Sequence, residues 1–161
     1  MEIQRARISD AQEACAVHRR SIIELCAADH RNDPAILAAW LANKTPENFR
    51  AWIERSDNSL FVAIEAGAII AVGCVTDAGE ITLNYVSPDA RFRGVSKAML
   101  AQLEAKARER GANACTLLST ETARRFYLSA GYIEQGRAAG RFGAGSAYPM
   151  MKSLVAEPKP D

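Results

Sequence analysis

The chain reads as an α/β protein of the α+β type built on one mixed sheet, and three observations predict it. The hydrophobic period changes along the 161 residues, from helical in the first third to β-prone over three successive runs, and it then alternates. Prolines, glycines and capping residues stand at the changes of period. The resulting order, βααα-βββ-α-β-α-ββ, departs from the strict alternation of a doubly wound sheet.

Residues 3–8 form a short first strand, and Ser9-Asp10 supply capping chemistry for a helix from Ala11. Ala14, Val17, Ile22 and Leu25 recur near the helical period, so one face is buried. Asp33-Pro34 and Thr45-Pro46 each set a capping residue before a proline at the first helical position, predicting helices over 34–42 and 46–54. The β-branched runs 60–65 and 69–76 are joined by Ala66-Gly67-Ala68, a hairpin signal, and Asp77-Ala78-Gly79 turns into a strand over 81–86. Val95, Met99, Leu103 and Ala107 mark a helical stripe that Gly111 ends. A strand over 114–119, a helix over 122–130 stopped by Gly131, and strands over 132–137 and 148–154 complete the chain. Residues 138–145, rich in glycine and alanine, are expected as a mobile loop. A single domain is expected over 1–155, with a disordered tail over 156–161.

Composition narrows the function. A formal net charge of +1 argues against a general nucleic-acid binder. No apolar run approaches the roughly 20 residues that span a bilayer, and the N-terminus has no signal-peptide pattern, so a cytoplasmic protein with no membrane partner is expected. Cys15, Cys26, Cys74 and Cys115 lie far apart, and His18 and His30 sit in different segments. That spacing argues against a metal site and favours reduced, buried thiols.

The stretch from Tyr85 to Lys97 carries the chemistry. A strand stops at Pro88, a basic glycine-containing turn follows, and a helix opens at Val95. The first amides of a helix have no intrahelical partner, and the macrodipole adds partial positive charge there, so the arrangement suits a phosphate. Arg91, Arg93 and Lys97 add full charges, and Gly94 lets the backbone approach an anion closely. The spacing of Gly94-Val95-Ser96-Lys97 does not fit a nucleotide-binding P-loop.

This loop resembles the acyl-CoA signature of the GNAT superfamily of N-acetyltransferases, Q/R-x-x-G-x-G/A. Arg91 and Gly94 match, Val86 and Pro88 stand ahead in the V-x-P arrangement, and Ser96 replaces the final Gly or Ala. The segment from Ala123 through Phe126-Tyr127 to Gly131-Tyr132 resembles A-x-x-F-Y-x-x-x-G-F/Y of the same superfamily. The N-terminal part is similar to a bacterial subgroup of largely unassigned substrate.

The resemblance implies a mainly antiparallel, twisted sheet of about seven strands with helices on both faces and strands four and five splayed. It implies acetyl-CoA as co-substrate without a metal. The pantetheine arm would pair near Tyr85 and Val86, and the pyrophosphate would rest on amides from Arg93 to Ser96, with Phe92, Val95 and Lys97 in the same loop. Direct transfer to a primary amine of a small molecule or peptide then needs an acid and a base. Tyr127 matches the general acid of many relatives, against a purely core role beside Phe126. Glu80, eleven positions before Arg91, stands at the offset of the base in histone-acetylating members; a water chain is the alternative. Asn84 shares the face of Glu80 if the strand alternates regularly. Arg124 is a candidate for the CoA 3′-phosphate, and a solvated helix face is its other reading. The acceptor pocket is expected from residues 22–45 and 137–147, where Glu24, Asp29 and Asp33 favour a cationic amine and Arg137 and Arg141 an acidic one. His18 and His30 are expected on helix surfaces or at caps. Edge strands are compatible with a homodimer. The competing class is a non-catalytic acyl-CoA-binding sensor or interaction domain.

Overall fold

The computed structural model describes residues 1–136, 147–156 and 160. The chain runs β1 (Glu2–Arg5), α1 (Ala11–Leu25), α2 (Ala27–His30), α3 (Pro34–Leu41), α4 (Pro46–Glu54), β2 (Asn58–Glu65), β3 (Ala68–Thr76), β4 (Ile81–Val86), α5 (Val95–Glu109), β5 (Ala114–Ser119), α6 (Arg124–Ser129), β6 (Ile133–Glu134) and β7 (Tyr148–Ser153). The first strand is shorter than the sequence predicts because Ile8–Asp10 form a 3-10 turn, closed by Asp10 Oδ2 accepting from the Arg7 amide at 2.7 Å. Asp33 and Thr45 cap their proline-led helices as expected, accepting from the amides of Ala35 and Asn48. The loop expected over 138–145, Arg137, Arg141 and most of the expected tail lie outside the described residues.

The strands form two antiparallel sheets, β1-β2-β3-β4 and β5-β7-β6. Two layers of core lie on opposite faces of the first. On one side α5 buries Val95, Met99, Leu103 and Ala107, the predicted stripe, against Ala71, Val75 and Ile81. On the other side α1 and α4 bury Ala14, Val17 and Phe49 against Leu60, Val72 and Leu83.

The sheets meet at one point. Glu80 bridges Thr116 in parallel register, and the Thr116 amide donates to the Gly79 carbonyl at 3.0 Å. Beyond that apex β4 and β5 part, as the resemblance implies. Gly79 makes the apex possible: its φ is +91°, and a Cβ there would lie 2.2 Å from the Ala114 carbonyl oxygen.

The register of β4 corrects one expectation. Cys74 pairs with Leu83 but Val75 pairs with Ile81, so Thr82 is an extra residue, a β-bulge. Ile81 therefore faces the α5 core while Leu83 and Tyr85 face the α1 core. A bulge reverses the alternation, so Asn84 and Glu80 do not share a face.

Candidate active site

The parting of β4 and β5 opens a cavity of about 730 Å³. Its walls are Asn84, Tyr85 and Val86 from β4, Leu117 and Leu118 from β5, and Ala123, Phe126 and Tyr127 from the α6 segment. At its mouth lies the basic loop, with Arg91, Phe92, Gly94, Val95, Ser96 and Lys97 all on the lining. Strand β4 spends one edge on β3, and the antiparallel pattern points alternate N–H and C=O groups toward the gap.

The loop has the geometry its sequence predicts. Gly94 takes φ +78° at the N-terminal boundary of α5, and the first bond of the helix runs from the Ala98 amide to the Gly94 carbonyl at 3.0 Å. The amides of Val95, Ser96 and Lys97 thus lack partners in their own helix. A Cβ on Gly94 would meet nothing within 4 Å, so backbone conformation fixes glycine here and the space over the helix end stays open. Phe92 also has positive φ, +60°, and is 90% exposed, with the Arg91 guanidinium 4.4 Å from its ring centroid. Strain of this kind, on the order of 1–3 kcal/mol, concentrates at ligand clamps.

Tyr127 is buried in the cavity wall, edge-on to Phe126 and Tyr132 at 5.1 and 5.5 Å. Burial pushes its pKa up to about 12, and neighbouring Asn84 opposes part of that rise. Both amide atoms of Asn84 are buried yet reach full hydrogen-bond geometry with no protein group. Two polar side chains from opposite walls therefore converge on the gap.

Three predicted residues stand elsewhere. Arg93 pairs with Glu65 at 2.5 Å and Arg124 pairs with Glu134 while lying 4.2 Å from the Tyr148 ring centroid; neither lines the cavity. Glu80 lines a second, smaller cavity of about 220 Å³ on the other side of the gap. The two cavities adjoin, sharing Ile81, Thr82, Leu83, Tyr85, Leu118 and Thr120.

The second cavity takes its other walls from the N-terminal helices: His18, Asp29, Ile36, Trp40, Asn43 and Lys44. The carboxylates expected to draw a cationic amine are engaged elsewhere. Asp29 accepts from the Glu121 amide at 2.7 Å and the Thr122 hydroxyl at 2.6 Å, Asp33 caps α3, and Glu24 pairs with Arg20. The Asp29 contacts clasp α2 to the turn before α6. His30 and His18 are both fully buried, which corrects the expected surface placement. His30 keeps its capping role: Nε2 lies 2.9 Å from the Ile22 carbonyl, and Nδ1 accepts from the Asn32 amide at 3.0 Å. His18 was readable, since Ala14, His18 and Ile22 recur at spacing four on the buried stripe. The Asp29 clasp, joining residues 92 and 93 positions apart, left no local signal.

All four cysteines are free and buried. Burial raises the pKa of each, that of Cys26 to about 12, so none is an activated nucleophile. Among the described residues no group of three or more His, Cys, Asp or Glu is placed to hold a metal ion, and no helix is long and apolar enough to cross a membrane.

The family model of the acetyltransferase (GNAT) domain matches residues 26–154. The chain belongs to the GNAT acetyltransferase family. Its fold is that of solved members. A GCN5-related N-acetyltransferase from Rhodopseudomonas palustris superposes with TM-score 0.84 at 25% identity over 95% of each chain. The PaiA N-acetyltransferase from Thermoplasma acidophilum, in complex with coenzyme A, gives 0.83 at 18% identity over 95% of this chain and 98% of that one. YncA, a putative acetyltransferase from Salmonella typhimurium with its cofactor acetyl-CoA, gives 0.71 at 19% identity over 100% and 98%. No functionally curated protein matches the sequence of this GNAT chain.

Proposed function

We propose that the protein is an N-acetyltransferase that moves the acetyl group of acetyl-CoA directly to a primary amine. One observation carries the reading: a bulged β4 leaves β5 beyond a single bridge, and the gap joins a large cavity ending at an open helix N-terminus to a small one on the opposite face.

The residues fit acetyl-CoA. The amides of Val95 to Lys97, with Arg91 and Lys97 beside them, suit the pyrophosphate. The open edge of β4 suits an amide-bearing arm that pairs as a strand would, with Tyr85 and Val86 beside it. In the reaction an amine nitrogen attacks the thioester carbonyl carbon, the C–S bond breaks and the C–N bond forms. The amine loses a proton and the thiolate gains one. A β4 amide facing the gap is placed to stabilise the oxyanion. Tyr127 donates to the departing sulfur, and Asn84 orients its hydroxyl. Glu80, exposed on the acceptor side, receives the amine proton directly or through water.

Calorimetric titration with acetyl-CoA, beside a thiol-release assay on an amine panel, tests this. Binding with thiol release supports the enzyme. Binding with no turnover of any amine favours the sensor class, and no binding refutes the site.

A further inference from the structure

His18 lies at the floor of the second cavity with no exposed surface. Tyr85 packs against its ring at 4.1 Å between centroids and Phe49 meets it edge-on at 5.7 Å. Neither ring nitrogen has a hydrogen-bond partner. Buried polar groups are rarely left so, because the lost hydration goes uncompensated. The same chain satisfies both nitrogens of His30. The orphaned pair at His18 therefore marks a place where something from the cavity completes the bonding.

The charges nearest His18 are positive. Lys44, 9% exposed, lines the cavity and donates to Asn43 Oδ1 at 2.7 Å. Arg19 braces the same turn, donating to the Leu41 and Lys44 carbonyls at 2.9 and 2.8 Å. Burial first, and then these two cations, hold the His18 pKa down at about 3, so the ring is neutral and its surroundings are positive. At the other end, toward the gap, stands Glu80. Asp29 also lines the cavity as a second carboxylate, held in place by hydrogen bonds from Glu121 and Thr122. The walls between are mixed, apolar at Ile36, Trp40 and Leu83 and polar at Thr82, Ser119 and Thr120. At about 220 Å³ the space falls below the roughly 300–1,000 Å³ of ordinary ligand pockets, which suits one small metabolite.

We propose that the acceptor is a free amino acid, its amine at the gap beside Glu80 and its carboxylate at the floor, where Lys44 pairs with it and His18 donates a hydrogen bond. The inference rests on the acetyl transfer proposed above; the amine would form the amide, and the product is an N-acetyl amino acid.

The test reads binding as well as turnover. The chain has two histidines, so His18→Gln assigns the His18 imidazole resonances. The protein saturated with CoA is titrated with each protein amino acid, and then with the decarboxylated amine of each one that binds, such as isoamylamine for leucine and phenethylamine for phenylalanine. At least one amino acid is expected to shift the His18 resonances and to bind at least about 10-fold tighter than its decarboxylated amine, the scale of one charge-assisted hydrogen bond. Lys44→Gln is expected to erase that ratio while keeping its acetyl-CoA affinity, which shows that the variant folds. In the thiol-release assay the same ratio appears in KM. Equal or tighter binding of the amines, or a His18 signal unmoved by every amino acid, overturns the acceptor class. Failure of acetyl-CoA to bind the unmodified protein refutes the proposed function itself.

Discussion

Replacing Tyr127 by Phe removes one hydroxyl from a buried wall, and the structure sets the size of the loss. A phenol held at about 12 is a weak acid against a thiol with an ordinary pKa of about 8.5. Full proton transfer to a free thiolate is uphill by roughly 3.5 pKa units, or about 5 kcal/mol at 1.36 kcal/mol per unit. In the proposed reaction the phenol therefore acts chiefly as a hydrogen-bond donor to charge developing on sulfur, an interaction worth about 1.5–3 kcal/mol. That converts to a fall in kcat of roughly 10- to 150-fold, short of the upper end of about 10⁴-fold for general acids. Steady-state kinetics with a saturating amine give kcat, and calorimetry gives the acetyl-CoA Kd, which is expected to stay within about twofold. The raised pKa adds a second signature: no basic limb between pH 8 and 10 belongs to Tyr127. An unchanged kcat, a Kd that weakens as much as kcat falls, or a limb in that window lost in the variant would refute the reasoning.

Gly94→Glu should abolish acetyl-CoA binding, because it sets a carboxylate over the helix end, whereas Gly94→Ala should fold at a cost of about 1 kcal/mol for its positive φ. Calorimetry and urea titration read the two effects, and an unaltered acetyl-CoA affinity in Gly94→Glu would sink the loop assignment. The His18 pKa is depressed from 6.5 to about 3, so its neutral form contributes stability that is fully present above pH 6.5 and is lost as pH falls toward 3. The full span is worth at most roughly 5 kcal/mol at 1.36 kcal/mol per unit. His18→Leu should flatten the fall in urea midpoint between pH 7 and 4, and parallel curves for the two proteins would contradict it. Asp29→Ala should cost about 2 kcal/mol by releasing the turn before α6, on the scale of hydrogen bonds to a charged group. A urea midpoint identical to that of the unmodified protein would show that the clasp contributes nothing.

Local signals in the sequence account for the elements and for the end of the site proposed to bind phosphate. Proline-led caps at 33–34 and 45–46, the stripe from Val95 to Ala107 and the turn at Gly94 all depend on residues within a few positions of one another. The acceptor end depends on distant pairings. Thr82 becomes a bulge only through the register of β3 against β4, and it alone separates the faces of Glu80 and Asn84. Arg124 reads as a phosphate ligand until the fold brings Glu134 beside it. Helix α2, four residues long, is too short for a hydrophobic period to reveal.

The apex at Gly79 makes the molecule two leaves on a common spine. On one side lies the α5 core and on the other the α1 core, and among the described residues none belongs to both. A side chain at position 79 would act as a wedge at the spine, forcing the Ala114 carbonyl away and changing the width of the whole slot without touching any residue that lines it. In the proposed reaction that slot is what an amine crosses to reach its acetyl donor, and a single missing Cβ lets its two leaves meet.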